Sequence, residues 1–161
     1  MTAPELLDLP ALKVRIEQLG ERISAPETYL PSYGHSRNEG TPHVEVGETY
    51  DWVVCERGHE LQRRSTTDLD ELLYWVFSTV AYSMTLRTKR RGWLPGQDSR
   101  RQWFKLQEDY LAVLSPAWAA RQEKEHADIL ARYPYRDRGA ARWLLPLRDF
   151  FKLALRRLTH P

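Results

Sequence analysis

The chain has 161 residues, of which 42% are hydrophobic and 29% charged, and its 24 basic and 22 acidic side chains leave a formal charge of +2. This composition predicts a single soluble globular domain and excludes wholesale electrostatic binding to nucleic acid as the main role. A single Cys excludes a disulfide framework and a Cys-rich zinc site. No apolar stretch is long enough to span a membrane and no secretory signal is recognisable, so we expect a cytoplasmic protein.

The first predicted element is a helix over residues 10–23. Its apolar residues recur at i, i+4, i+7 and i+11, which is the spacing of one helical face; they are Leu12, Ile16, Leu19 and Ile23. Residues 25–41 contain two Pro and two Gly and are predicted to be a loop.

Three strand-like runs follow at residues 43–46, 50–56 and 59–64. Gly47-Glu48 and Arg57-Gly58 separate them and are typical of hairpin turns. The middle run carries apolar side chains on both faces and is therefore predicted to be the central strand. We expect an α+β fold, with a small antiparallel three-stranded meander covered by about five helices.

Helices fill the rest of the chain. The strongest periodicity runs from Leu69 to Met84 and predicts a long amphipathic helix. Two further helices are predicted over residues 98–114 and 116–133, the second with Ser115 and Pro116 as its N-cap and first helical residue. A last helix is expected within residues 139–161. We therefore divide the chain into a domain over residues 1–138 and a C-terminal basic amphipathic helix, docked on it, over residues 139–161.

The sequence contains no catalytic signature. His43 and His59 could meet across the sheet as part of a metal site, but ordinary cross-strand pairing explains them better. Cys55 lies mid-strand between apolar neighbours, as an inert core thiol does. We therefore predict a protein that is not an enzyme and needs no cofactor or metal.

Acidic residues cluster where the long helix begins. Asp68, Asp70 and Glu71 suit the positive end of the helix dipole, and they also offer a surface to a basic partner. With Tyr74 one turn further on, they are our candidate residues for a protein interface.

Two further regions are dense in charge. They are the hairpin after the central strand and the start of the helix predicted over residues 98–114. Each carries Arg and acidic groups that need partners, so we predict that the two regions meet in one partly buried polar network. Its predicted members are Glu56, Arg57, Glu60, Arg63, Gln97, Asp98 and Arg101.

Two basic segments leave alternatives open. Arg87 to Lys105 holds seven basic residues against one acid, interleaved with Trp93 and Trp103, a pattern that can bind single-stranded nucleic acid. Because Trp103 lies on a core-like face, nucleic acid is not the expected partner. The helix within residues 139–161 could make weak contact with an anionic membrane surface, although docking on the domain is favoured.

The motifs also carry a family resemblance. They are the runs Thr41 to Glu45, Val53 to Glu60, Asp68 to Trp75, Gly96 to Arg101 and Leu114 to Trp118. Their order and spacing over about residues 25–133 resemble the immunity protein 63 family of bacterial polymorphic toxin systems. The resemblance implies a non-enzymatic protein that binds and neutralises a cognate toxin domain, and it names neither the toxin nor the contact residues.

Overall fold

The computed structural model describes residues 6–88 and 96–137, and in this part of the chain it shows an α+β fold. Four strands, four helices and one short 3₁₀ helix follow one another within these residues. In order they are α1 (Leu9–Arg22), the 3₁₀ helix (Glu27–Tyr29), β1 (Ser32–Tyr33), β2 (Glu39–Val46), β3 (Tyr50–Glu56), β4 (His59–Thr66), α2 (Leu69–Thr88), α3 (Arg100–Leu114) and α4 (Pro116–Arg132). The four helices fall where the apolar periodicity predicts them.

The strands form one mixed sheet in the order β1-β2-β3-β4. The β2-β3 and β3-β4 pairs are antiparallel, as predicted. The prediction of three antiparallel strands is nevertheless wrong in one detail, because β1 adds a fourth strand that runs parallel to β2. At two residues β1 is too short to show the alternation that marks a strand in a sequence.

Hairpin turns join the antiparallel strands at the predicted positions. Arg57 and Gly58 have φ values of 53° and 79°, the left-handed conformation that both central residues of a type I′ turn require. In the other hairpin the Gly47 N–H donates to the Thr49 carbonyl at 3.0 Å. The tight turns bring Trp52 and Arg64 opposite each other in neighbouring strands.

Helix α2 is the centre of the core. Its predicted apolar face is buried beyond Leu69, but burial extends further, to all six consecutive residues from Leu72 to Phe77. A helix buried all round needs cover on every side. The sheet contacts α2 through β3 and β4, and α3 also contacts it. The prediction of a one-sided amphipathic helix is therefore wrong for the first half of α2.

The predicted helix within residues 139–161 and the domain boundary at residue 138 lie outside the described residues. Among the residues described, no helix combines the length and the apolarity needed to cross a membrane.

Phe77 tests the central position of α2. Its side chain is fully buried and its ring lies 6.1 Å from that of Trp118. Phe77→Ala should lower the free energy of unfolding by about 3–5 kcal/mol, because it removes a large apolar side chain and leaves a cavity. Val113→Ala, at a position 51% exposed on α3, should cost less than about 0.5 kcal/mol. Urea unfolding of the full chain measures both, and equal losses would contradict the assignment.

Candidate functional site

The acidic residues at the start of α2 take part in the fold itself. Asp68 caps the helix, because its Oδ1 accepts the Asp70 N–H at 2.9 Å. Asp70 accepts the Trp118 indole N–H, with both carboxylate oxygens 3.1 Å from Nε1. The start of α2 is therefore tied to α4 by a residue 48 positions away in the sequence.

Glu71 forms a bidentate ion pair with Arg121 of α4. Arg121 donates through both terminal nitrogens, and Nη2 lies 2.9 Å from Glu71 Oε1. These hydrogen bonds hold the pKa of Glu71 below its usual value. The two side chains remain 31% and 34% exposed, so the pair stabilises the fold and is still accessible to a partner.

Tyr74 lies beneath this ion pair. It is 2% exposed, and its hydroxyl donates to Glu125 Oε1 at 2.9 Å. The Arg121 guanidinium carbon lies 3.9 Å from the centroid of the Tyr74 ring. Tyr74 therefore positions Arg121 and Glu125 from below and presents almost no surface of its own.

The accessible charged residues on this side of the molecule form a set that we call the α2–α4 face. Its members are Asp68, Asp70, Glu71, Arg121 and Glu125. Arg121 and Glu125 are not among the interface candidates from the sequence. In the sequence these two residues show only the i, i+4 spacing of an ion pair, which is common on any exposed helix face. In the structure Arg121 Nε lies 3.5 Å from Glu125 Oε1.

The hairpin charges form a network on the sheet surface opposite α2. Arg63 donates to Glu45 at 2.8 Å, to Asp51 at 2.6 Å and to Glu60 at 2.9 Å. Nearby, Arg57 is exposed at the turn and donates its backbone N–H to the Asn38 carbonyl at 3.1 Å. Glu56 is half-buried at the end of β3.

A second network surrounds Asp98, which follows Gln97 just before α3 and is 7% exposed. Asp98 pairs with Arg100 at 2.7 Å and accepts the Arg136 backbone N–H at 2.9 Å. Arg101 pairs with Asp137 at 2.7 Å. These contacts fasten the start of α3 to the segment that follows α4.

The described hydrogen bonds place Glu60 and Arg63 in one network and Asp98 and Arg101 in another, and none of them joins the two. Arg63 finds its carboxylates on β2 and β3 and in its own hairpin, whereas Asp98 and Arg101 find theirs beyond α4. Each set is satisfied locally, so neither needs the other.

The basic run is also largely engaged where it is described. Arg100 binds Asp98 and the carbonyls of Tyr133 and Pro134, and Lys105 pairs with Asp109. Residues 89–95 of the run lie outside the described residues.

Within the described residues, the two candidate histidines are not brought together. His43 Nε2 lies 2.9 Å from Glu45 Oε1 in a buried position, whereas His59 is exposed at the start of β4. Across residues 6–88 and 96–137, no group of three or more His, Cys, Asp or Glu side chains could hold a metal ion.

Asp98 provides a pH-dependent test of the second network. Burial alone would raise the pKa of Asp98, but hydrogen bonds from Arg100 and from the Arg136 backbone outweigh it and lower the pKa from 3.8 to about 2. The stabilisation is therefore complete above about pH 4 and is lost as the pH falls through about 2. Asp98→Asn should lower the free energy of unfolding by about 1–2 kcal/mol at pH 6, and this difference should shrink at pH 2.5.

Urea unfolding of the full chain at the two pH values measures this effect. Asp109→Asn on α3, the helix that begins just after Asp98, is the matched control, because its partner Lys105 is exposed and exposed ion pairs contribute little to stability. Asp98→Asn that unfolds like the wild type at pH 6 would contradict the assigned role.

Comparison with known protein families gives a match over the middle of the chain. The sequence model of immunity protein 63 matches residues 47–128, half of the chain. This range is narrower than the motifs suggest and contains β3, β4, α2, α3 and most of α4. No curated protein and no solved structure matches the chain. Every residue of the α2–α4 face lies within the match. Because the family model matches half of the chain, the chain belongs to the immunity protein 63 family.

Proposed function

We propose that this protein binds the toxin domain encoded beside it and neutralises it by covering its active site or substrate channel. Membership of the immunity protein 63 family carries the proposal. Inhibition by occlusion needs a stable surface and makes or breaks no covalent bond, so in this proposal the protein has no catalytic role of its own. The proposal also places its action in the cytoplasm of the producing cell.

The α2–α4 face supports this proposal as the contact surface. Its side chains are already held by one another and by Tyr74 and Trp118, so little conformational freedom is lost on binding. Its carboxylates complement a basic toxin surface, and such complementarity speeds the capture of a harmful partner. Asp68, Asp70 and Glu71 are its proposed contact residues, with Tyr74 as their support.

We also propose residues 1–138 as the toxin-binding domain. In this scheme residues 139–161 form an accessory basic helix docked on that domain.

Nucleic-acid binding through Arg87 to Lys105 is the second candidate. The interleaved basic and aromatic residues favour it, whereas the engagement of Arg100, Arg101 and Lys105 with acids weakens it. Filter binding of the full chain to single-stranded DNA at two salt concentrations separates the candidates, because a phosphate binder loses affinity steeply with salt.

Co-expression tests the proposed function directly. The toxic C-terminal domain encoded by the neighbouring gene should arrest growth of the host when expressed alone, and co-expression of the full chain should restore growth. Purified toxin domain and full chain should form a complex. Growth arrest that persists with well-expressed, folded protein would refute the proposal.

A charge swap separates contact from stability at the α2–α4 face. Glu71→Arg and Arg121→Glu should each destabilise the fold, whereas the double variant should recover most of the loss because the ion pair is rebuilt in reverse. If the face contacts the toxin, the double variant should still bind it at least about tenfold more weakly. Calorimetric titration with the toxin domain measures the affinity.

The matched control is the swap Lys13→Glu with Glu17→Lys on α1. This pair is exposed, with 3.7 Å between its charged atoms, and unlike Glu71 and Arg121 it lies within one helix at i, i+4 spacing and outside the family match. It should leave toxin affinity unchanged. Equal affinity of the Glu71 and Arg121 swap and the wild type would remove the α2–α4 face as the contact surface.

A further inference from the structure

Strand β4 carries two consecutive arginines in opposite electrostatic situations. Successive residues of a strand face opposite sides of the sheet. Arg63 lies on the face opposite α2 and is bound by three carboxylates. Arg64 lies on the face that carries α2, opposite Trp52 in the strand register.

Among residues 6–88 and 96–137, the contacts of the Arg64 guanidinium are with aromatic rings. Its guanidinium carbon lies 4.6 Å from the centroid of Trp75 and 6.0 Å from that of Trp52. Among the described residues, no carboxylate or carbonyl oxygen lies within hydrogen-bonding or ion-pairing distance of the guanidinium. The indole N–H of Trp52 is likewise buried without a partner in the described part of the chain.

The charges around Arg64 do not compensate for its burial. Glu71 and Glu125 attract the guanidinium from a distance and Arg121 repels it, yet burial outweighs these effects and lowers the pKa of Arg64 to about 10. Hydrogen bonds to Glu60 and Glu45 raise the pKa of Arg63 instead. Within the described part of the chain, Arg64 is therefore a half-buried cation with no anion in contact with it, a situation that costs free energy.

We propose that Arg64 is a toxin-contact residue and that it receives a carboxylate from an Asp or Glu side chain of the toxin. The inference rests on the proposed function and adds a specific contact to it. The planar guanidinium fork fits a carboxylate in a bidentate geometry that no other side chain matches. Arg and Trp are also among the residue types that contribute most of the binding energy at protein interfaces.

The position of Arg64 suits this role. β4 is the edge strand of the sheet, so no strand within residues 6–88 and 96–137 pairs with its outer side. Glu71, Arg121 and Glu125 act on Arg64 electrostatically, which places it beside the α2–α4 face. A toxin that covers this face would remove the remaining water from Arg64 and complete its ion pair.

A purely structural role is the alternative, in which the arginine stem only shields the two Trp rings. Arg64→Met distinguishes the two, because Met keeps an apolar stem of similar length. The proposal predicts that Arg64→Met leaves the isolated chain as stable as the wild type, or more stable, and weakens binding of the toxin domain by about 30-fold or more.

Arg63→Met is the matched control from the opposite face. It should destabilise the isolated chain, since Glu45, Asp51 and Glu60 lose their shared cation, but it should change toxin affinity by less than about threefold. Urea unfolding and calorimetric titration of the full chain with the toxin domain, at a temperature where every variant is folded, give the two readouts.

The toxin carboxylate can be identified by changing each Asp and Glu of the toxin domain to Asn or Gln. One change should weaken binding to the wild type and have little further effect on Arg64→Met. Unchanged affinity of Arg64→Met, loss of its stability, or the absence of any coupled carboxylate would overturn the inference and leave the proposed function standing. Failure of the wild type to bind would overturn both.

Discussion

The need to cover α2 on every side organises the whole structure. Residues Leu72 to Phe77 are all buried, and no single layer can bury all sides of a helix. The sheet covers one side of α2, and α3 contacts it as well. The first turn of α2 then emerges at the rim of the core, where Asp70 and Glu71 meet α4. The location of the α2–α4 face is thus a consequence of how the core is packed.

This origin explains why the face is both charged and rigid. Polar groups at the rim of a core must be hydrogen-bonded wherever water is excluded. Asp70, Glu71 and Tyr74 meet that requirement with Trp118, Arg121 and Glu125 of α4. Each contact joins residues about 50 positions apart, so the charges keep their arrangement only while α2 and α4 are packed. A partner that recognises this arrangement recognises the folded protein.

Local spacing predicts the elements well and their long-range partners poorly. The apolar periodicity of α1 and the cap at Ser115 are visible in the sequence, because the interacting residues lie within a few positions of one another. β1 is invisible because two residues show no alternation. For a related reason, the charges predicted to share one network around Asp98 and Arg63 find separate partners among the described residues. Many charges are available, and which carboxylate each arginine meets depends on the tertiary fold.

Arg63 and Arg64 make the same point within one dipeptide. The two side chains are chemically identical. Because the pleat of β4 points them to opposite faces of the sheet, Arg63 contacts three carboxylates and Arg64 contacts two indole rings. Selection for stability alone would favour an apolar residue at position 64, because a half-buried charge that contacts no anion among the described residues is a cost. This cost fits the proposal that another polypeptide supplies the anion. The Asp98 network differs from Arg64, because its charges find their partners within the chain. It reaches Asp137, beyond the family match, and joins two parts of the fold.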